Sequence, residues 1–247
     1  MPGLSGARTD RHNGKQSWFD LFLNLIFPER CIFCRRILPA APEQPLCSSC
    51  APEFVPAGRI CLRCEMPLSA AKDCLCRSTG FALQGLYALT RYEKRWRLVL
   101  HDLKYRSRRS LARPLGLWLG REISSNAYCK PDLVVPVPLH RRREKERGFN
   151  QSALVARHAA RSLGCLYRPL LIRHRDTTSQ TTLSRRERIE NVRGAFALKS
   201  QPPSGSVILL VDDIYSTGST LKEAAAALYR PGAKIYGAVI AYNPLDN

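Results

Sequence analysis

The sequence lacks a hydrophobic run that could cross a membrane. Its apolar stretch at residues 17–28 is shorter than the about 20 residues that a membrane-spanning helix needs. Residues 1–16 are polar and contain no signal peptide, so we expect a disordered tail there. These absences predict a cytoplasmic protein. Residues 17–28 are expected to form a short helix packed on the neighbouring module, and peripheral contact with the inner face of a membrane stays open.

Acidic residues are also scarce. The 247 residues include 39 Lys and Arg but only 20 Asp and Glu, which gives a formal net charge of +19. A single nucleotide-sized ligand does not require this excess, which therefore favours a polyanionic partner that binds more weakly as salt rises. The length and the hydrophobic content of 45% allow one substantial core and a small additional module.

Histidine is absent from the region that is richest in cysteine. Eight of the ten cysteines form four close pairs between positions 31 and 76, namely Cys31 with Cys34, Cys47 with Cys50, Cys61 with Cys64, and Cys74 with Cys76. Two thiolates at such spacing suit a tight turn that presents both sulfurs to one tetrahedral metal ion. The pattern predicts two structural zinc sites in which every ligand position is a cysteine.

The spacing leaves open which pairs share a metal ion. Neighbouring pairs are the simplest arrangement, but the first and third pairs could also combine. Disulfides would need an oxidising compartment, and four redox-active pairs in tandem would be unusual. Cys129 and Cys165 stand apart from the pairs and are expected to be buried thiols.

The chain divides into three predicted segments: a tail with a short helix (1–30), a zinc module (31–78) and an α/β domain (79–247). Within the third segment, the apolar pattern predicts strands near 81–92, 133–138, 166–172, 207–211 and 235–241, with helices between them. Trp96, Val99, Leu100 and Leu103 have the spacing of one buried helix face. This alternation predicts a mostly parallel central sheet with helices on both faces, and a ligand site at the carboxyl ends of its strands.

The most informative motif follows the apolar strand at 207–211. Asp212 and Asp213 end this strand, and a loop of small polar residues comes next: Ser216, Thr217, Gly218, Ser219 and Thr220. The backbone N–H groups of such a loop can surround a phosphate at a helix N-terminus. Adjacent carboxylates would repel that phosphate, so they suit neutral hydroxyls such as those of a ribose. A plain strand–turn–helix capped by the two acids is the alternative.

This arrangement resembles the ribose-phosphate motif of type I phosphoribosyltransferases. The resemblance implies that the acid pair is the catalytic site and contacts the ribose of phosphoribosyl pyrophosphate, while residues 216–220 hold the 5′-phosphate. It also implies that the pyrophosphate, with its Mg²⁺, binds at the loop of Pro136, Val137 and Pro138.

Basic side chains follow that loop closely. Arg141, Arg142 and Arg147 are candidate partners of the pyrophosphate, because guanidinium groups pair well with phosphates. Glu144 and Glu146 leave open a merely solvated, charged turn at this place.

A second motif narrows the resemblance. Residues 147–151, Arg-Gly-Phe-Asn-Gln, together with the cysteine pairs, resemble the ComF family of competence and DNA-utilisation proteins. Residues 178–180, 183–185, 188–191 and 194–196 agree with it. This resemblance covers about 31–241 and implies a double zinc ribbon, a phosphoribosyltransferase-like domain, and phosphoribosyl pyrophosphate with Mg²⁺ as ligand. It further implies the handling of imported single-stranded DNA beside a membrane channel and a helicase.

The polar, arginine-rich stretch at 173–195 is expected to form a flap over the site, with Gln180, Arg185, Arg188 and Asn191 as its polar candidates. A basic loop that contacts DNA is the alternative. A single strand could follow a groove lined by four side chains, with Tyr105 or Phe149 as a stacking platform: Lys104, Arg106, Arg108 and Arg109. An idle basic surface remains the alternative to that groove.

The sequence leaves open whether the protein catalyses a reaction. The fold also hosts regulators that only bind, so the motif permits a phosphoribosyltransferase of nucleotide metabolism without establishing one. The base or amine acceptor is not identifiable from the sequence. A partner-docking role of the zinc module is a third possibility.

Overall fold

The computed structural model describes the chain in separate ranges: residues 28–39, 42, 44–64, 66–68, 82–105, 108–176 and 185–243. The side chains of residues 185, 186, 188 and 189 stand outside this description. The predicted tail and short helix lie almost wholly outside the described residues, as do Cys74, Cys76, Arg106 and Gln180. None of the helices in these ranges is long and apolar enough to cross a bilayer.

Seven strands form the central sheet: β1 (Pro56–Ile60), β2 (Pro67–Leu68), β3 (Leu83–Arg91), β4 (Leu133–Pro136), β5 (Leu166–Tyr167), β8 (Val207–Tyr215) and β9 (Lys234–Tyr242). A separate antiparallel pair consists of β6 (Leu171–Arg173) and β7 (Phe196–Leu198). The order in the central sheet is β2-β1-β3-β9-β8-β4-β5, and the five strands from β3 to β5 run parallel. The predicted mostly parallel sheet is therefore confirmed.

Within the described ranges, six α-helices accompany the strands: α1 (Lys94–Tyr105), α2 (Ala112–Ser125), α3 (Arg141–Arg147), α4 (Gln151–Leu163), α5 (Arg185–Val192) and α6 (Ser219–Leu228). Short 3₁₀ turns lie at Ala51–Glu53 and Arg109–Leu111. The buried side of α1 consists of the four residues that the sequence pattern selected. Helices α1, α2 and α4 pack on one face of the sheet and α6 on the other, so apolar residues of β8 are buried on both faces.

Two glycines allow the helix layer on the first face to pack closely. A Cβ atom at Gly116 of α2 would lie 2.4 Å from the carbonyl oxygen of Val155 in α4, and one at Gly120 would lie 2.6 Å from Cβ of Ser162. No real side chain tolerates such distances, so glycine lets the two helix backbones approach. Helix α4 is thereby held firmly against the sheet, and its first turn faces the carboxyl end of β8.

Two predicted strands differ from the structure. The apolar strand does not stop at residue 211, because β8 continues through the acid pair to Tyr215, which pairs with Tyr242 of β9. The single strand predicted at 166–172 is wrong. It divides into β5, which pairs with β4, and β6, which pairs with β7. Pro169 lies between them and has no N–H group to continue a ladder.

Strands β1 and β2 come from the range predicted as the zinc module. β1 pairs antiparallel with β3, and β2 pairs antiparallel with β1. This part of the cysteine-rich region therefore extends the central sheet and is continuous with the α/β fold.

Candidate functional site

A cavity of about 340 Å³ opens at the carboxyl ends of the central parallel strands. Its walls come from β8 and the loop after it, from the loop after β4, from the ends of β3 and β9, and from α1, α3 and β6. The residues that line it are Tyr92, Lys104, Tyr105, Val137, Pro138, Leu139, Arg143, Arg147, Gln151, Arg173, Asp212, Asp213, Ile214, Ser216, Thr220 and Asn243. The predicted position of the ligand site thus coincides with a real cavity.

The acid pair is almost completely buried beside this cavity, with Asp212 8% and Asp213 5% exposed. Asp212 accepts hydrogen bonds from Oγ of Ser152 at 2.7 Å and from the backbone N–H of Asp213 at 2.9 Å. Asp213 accepts from Nε2 of Gln151 at 3.0 Å and forms an ion pair with Nζ of Lys104 at 2.9 Å. These partners make the burial of two adjacent carboxylates possible, because a buried charge needs pairing and hydrogen bonds.

The electrostatics of the three charged groups are linked. Burial and, next, the negative charge of Asp213 together raise the pKa of Asp212 to about 7, although the hydrogen bond from Ser152 acts in the opposite direction. Burial by itself would lower the pKa of Lys104, but the charge and the hydrogen bond of Asp213 outweigh it, so the pKa lies above its ordinary value. Lys104 is therefore the permanent counterion of the pair, and Asp212 is the carboxyl group that changes its charge near neutral pH.

The motif at 147–151 places the partners of the acid pair. Asn150 donates to the carbonyl of Val137 at 3.0 Å and caps α4 by accepting from the N–H groups of Ser152 and Ala153. Gln151, the first residue of the helix, reaches Asp213, and its amide oxygen accepts from Nη1 of Arg147. The sequence marked this segment only by resemblance, whereas the structure shows that it joins the β4 loop to the acid pair.

The predicted phosphate loop makes a tight turn at Gly218. Gly218 has φ +70°, and a Cβ atom there would lie 2.3 Å from the hydroxyl oxygen of Tyr215, so only glycine fits. The hydroxyls of Thr217 and Ser219 are 2.8 Å apart and buried. Ser216 and Thr220 line the cavity, and α6 begins directly behind them at Ser219. Tyr215 itself is buried in the core.

The structure brings only some of the predicted pyrophosphate contacts to the cavity. Val137 and Pro138 line it, and Pro136 is the buried last residue of β4. Arg147 lines it, whereas Arg141 is exposed elsewhere on α3. Arg142 contacts Glu146 at 3.0 Å and Asp176 at 3.5 Å.

Two further basic residues were not assigned to the site from the sequence. Arg143 lines the cavity one residue after Arg142, and Arg173 reaches it from the end of β6. The sequence does not show which of three adjacent arginines faces the cavity. That depends on the residue at which α3 begins, because the start of the helix sets the direction of each side chain. Arg173 is placed by the bridge that His140 forms with it, a contact between distant segments.

Three of the four residues predicted to line a DNA groove contact other groups of the protein, Arg106 lies outside the described residues, and the predicted platform Tyr105 is 61% exposed. Lys104 forms an ion pair with Asp213, and Arg108 forms one with Asp102 at 2.6 Å. The guanidinium of Arg109 lies 4.7 Å from the centre of the Phe149 ring. Phe149 is buried and therefore offers no open stacking platform. Of the four flap candidates, Gln180 and the side chains of Arg185 and Arg188 lie outside the described residues, and Asn191 lies in α5, away from the cavity lining.

The first two cysteine pairs come together in one cluster. The sulfur atoms of Cys31, Cys34, Cys47 and Cys50 all lie within 4.8 Å of one another, and three of these residues are buried. A zinc–sulfur distance of about 2.3 Å requires sulfurs roughly 3.8 Å apart, so the cluster fits zinc. The structure thus favours the neighbouring pairing for this site. Cys61 and Cys64 are described, but Cys74 and Cys76 are not, so the second predicted site stays a prediction.

Helix α1 connects the cysteine cluster with the acid pair. Arg95, in its first turn, donates to Sγ of Cys50 at 3.3 Å and pairs with Glu53 at 3.2 Å. Trp96 packs against the ring of Phe33 at 5.2 Å between centroids. Lys104, in the last turn, holds Asp213. The zinc module and the cavity are therefore attached to opposite ends of one helix.

The mostly parallel sheet, the acid pair at the end of β8 and the four-cysteine cluster are the features of a phosphoribosyltransferase-like fold with an N-terminal zinc ribbon. Comparison with known families agrees, since residues 150–246 match the phosphoribosyl transferase domain and residues 22–79 match the double zinc ribbon domain. Among curated proteins, the DNA utilization protein YhgH of Salmonella typhimurium is 36% identical over 218 residues, which cover 85% of this chain and 94% of that protein.

More distant relatives have related names. The DNA utilization protein YhgH of Escherichia coli (strain K12) is 33% identical over 218 residues, covering 85% of this chain and 94% of that protein. Competence protein F of Haemophilus influenzae is 29% identical over 218 residues, covering 84% of this chain and 94% of that protein. The chain belongs to the ComF family of competence and DNA-utilization proteins.

The cysteine cluster leads to a prediction about metal content. We expect about two zinc ions per chain, and about one in the Cys47→Ser variant, because a site that loses one thiolate binds zinc far more weakly. Metal analysis of the purified proteins measures this. Cys165→Ser, which removes an isolated thiol, is the matched control and should keep the full content. A Cys47→Ser protein with unchanged zinc content would contradict the assignment.

The raised pKa of Asp212 leads to a prediction about stability. Its pKa rises from 3.8 to about 7 on folding, so this group's contribution is fully present below pH 3.8 and is lost as the pH rises through 7. Asp212→Asn removes the group. The stability of this variant relative to the parent should therefore improve by about 1–3 kcal/mol between pH 5 and pH 8. Urea unfolding at both pH values measures the difference, and a pH-independent difference would refute the assignment.

Proposed function

We propose that the cavity binds phosphoribosyl pyrophosphate with its Mg²⁺. In this proposal the ribose hydroxyls bind at Asp212 and Asp213, and the 5′-phosphate binds at residues 216–220. The pyrophosphate and its metal ion bind near residues 136–138. The observation that carries the proposal is that one cavity brings these three groups together with cationic side chains.

The chemistry of the walls supports a ligand with both hydroxyls and several negative charges. Carboxylates accept hydrogen bonds from hydroxyls, and the amides of a turn at a helix N-terminus favour an anion. Among the described residues, the cations that line the cavity are Lys104, Arg143, Arg147 and Arg173. Lys104 forms an ion pair with Asp213, and in this proposal Arg143 and Arg173 balance the phosphates.

Turnover as a phosphoribosyltransferase is the second candidate. Departure of Mg-pyrophosphate leaves positive charge on the sugar ring, and a fixed buried carboxylate pair would stabilise that charge by position and field. The ionised form of Asp212 would serve best, and its pKa of about 7 makes this form available above neutral pH. Pyrophosphate release with a panel of bases, amines and single-stranded DNA distinguishes turnover from binding alone.

Ligand affinity gives the direct test of the site. The Asp212→Asn, Asp213→Asn double variant should bind phosphoribosyl pyrophosphate about 30-fold more weakly or worse, because hydrogen bonds to charged groups are among the strongest. Titration calorimetry in the presence of Mg²⁺ measures the affinity, and circular dichroism verifies that the variant folds.

The matched control for this test is Asp132→Asn. Its carboxylate accepts from the backbone N–H of Val207 at 2.8 Å, at the opposite end of the sheet, and an asparagine oxygen can still accept that bond. Its affinity should equal that of the parent. Undiminished binding or pyrophosphate release in the folded double variant would show that the ligand binds elsewhere.

We further propose that the protein binds single-stranded DNA at a basic face of α2 and α4. Burial lowers the pKa of His158, and the positive charges of Arg113, Arg161 and Arg157 lower it further, so these groups lie close together. Arg157 and Arg161 are exposed one turn apart on α4. This basic face, defined by Arg157 and Arg161 together with Arg113, which also pairs with Glu29, would attract a phosphate backbone. The names of the relatives support DNA as the polyanion. In the same proposal, the protein acts beside a DNA-uptake channel and a helicase.

The salt dependence of oligonucleotide binding tests the basic face. Each phosphate contact contributes about −0.7 to the slope of log affinity against log salt for single strands, so Arg157→Ala with Arg161→Ala should make the slope shallower by about 1.4. Fluorescence anisotropy with an unstructured oligonucleotide measures it. Lys199→Ala with Lys234→Ala, which removes two exposed charges elsewhere, is the control. Equal slopes for the arginine variant and the parent would exclude this face.

A further inference from the structure

One side of the cavity has no role in the proposed binding of phosphoribosyl pyrophosphate. Along the carboxyl edge the strands follow the order β4, β8, β9, β3. The pyrophosphate loop follows β4, and the ribose and 5′-phosphate groups belong to β8. Tyr92 follows β3 and Asn243 follows β9, and both line the cavity. Since neighbouring strands lie about 4.8 Å apart, this side extends roughly 10 Å beyond the acid pair.

Helix α1 adds an exposed aromatic ring to the cavity lining. Tyr105 is the last residue of α1, and 61% of it is exposed although it lines the cavity. The other large apolar side chains in its half of the helix, Leu100 and Leu103, are fully buried. The ring of Tyr105 contacts the ring of His101 at 5.0 Å between centroids, and most of it stays exposed at the cavity, where a ligand could contact it.

The ring of Tyr105 is held in register with the acid pair by two routes. Its neighbour Lys104 is fixed by the ion pair with Asp213. Asp213 also accepts from Gln151, Gln151 accepts from Arg147, and the guanidinium of Arg147 lies over the ring of Tyr105 at 4.9 Å. Both routes begin at the carboxylate that is proposed to bind ribose. The ring therefore lies at a fixed position relative to the sugar.

The chemistry of this pair fits a planar, electron-delocalised ligand. Aromatic rings and guanidinium planes are the two surfaces on which nucleobases stack in proteins. A second tyrosine with an arginine beside its ring lies on the same side of the cavity. This is Tyr92, whose ring centre is 5.6 Å from the guanidinium of Arg97. No carboxylate other than the acid pair lines the cavity among the described residues, so nothing there selects for a cationic ligand.

We propose that Tyr105 and Arg147 form a base-stacking site, so that the cavity takes a nucleotide whose ribose and phosphate bind at β8 and whose base stacks on this pair. The inference rests on the proposed ribose-phosphate site and adds the base to it. It gives Tyr105, which the sequence suggested only as a platform for single-stranded DNA, a role inside the cavity.

The test compares a ligand with a base and a ligand without one. AMP and ribose 5-phosphate are titrated calorimetrically into the parent protein, Tyr105→Ala, Tyr105→Phe and Leu98→Ala. Leu98 is the matched control, because it is 66% exposed on the same helix but does not line the cavity. We expect the parent to bind AMP more tightly than ribose 5-phosphate. Tyr105→Ala should bind AMP about tenfold more weakly, the effect of one lost stacking contact.

The remaining variants make the result specific. Tyr105→Phe and Leu98→Ala should bind AMP as the parent does, and all variants should bind ribose 5-phosphate equally. Equal affinities of the parent for both ligands, or an equal loss of both in Tyr105→Ala, would overturn the stacking site while leaving the ribose-phosphate site intact. If the parent binds AMP through Tyr105 but not ribose 5-phosphate, the stacking site stands and the ribose-phosphate site fails. Binding of neither ligand would refute both.

Discussion

Burial of two adjacent carboxylates at the end of β8 is the constraint on which the rest of the structure depends. Like charges at such short distance cannot both lie away from water unless other groups compensate them. The compensation comes from Lys104 at the end of α1 and from Gln151 and Ser152 at the start of α4. Both helices must therefore end or begin at the carboxyl edge of the sheet. The helix layer on this face is thus arranged by electrostatics as well as by apolar packing.

The same constraint explains how a small cysteine-rich module can influence a distant site. Helix α1 has 12 residues, so it spans about 18 Å. Arg95 and Trp96 attach its first turn to the cysteine cluster, and Lys104 attaches its last turn to Asp213. A bound zinc ion supplies folding energy to a module too small to have a large core. The position of α1, and with it that of Lys104 and Tyr105, depends on that module.

Positive charge is divided between two places with different surroundings. In the cavity, Arg143, Arg147 and Arg173 surround a recess that also contains carboxylates, which suits a ligand with both hydroxyls and phosphates. On α2 and α4, the basic face lies on open helix surfaces, which suits a long polyanion. Other basic residues that the sequence suggested for a DNA groove are engaged within the protein, as with Arg108 and Asp102. Net charge alone could not separate these roles, because it carries no information about neighbours.

The sequence by itself determined what depends on local pattern. It predicted the buried side of α1, the mostly parallel sheet, the acid pair at the end of a buried strand, and the pairing of thiols at metal-binding spacing. Hydrophobic periodicity and turn-forming residues act over short stretches, so they can be recognised in a single sequence. Only the tertiary structure decided that Lys104 is the counterion of Asp213, that Arg143 and Arg173 reach the cavity, and that one predicted strand divides between two sheets. Those outcomes depend on which distant segments meet, and burial makes the contacts between them strong enough to override local preference.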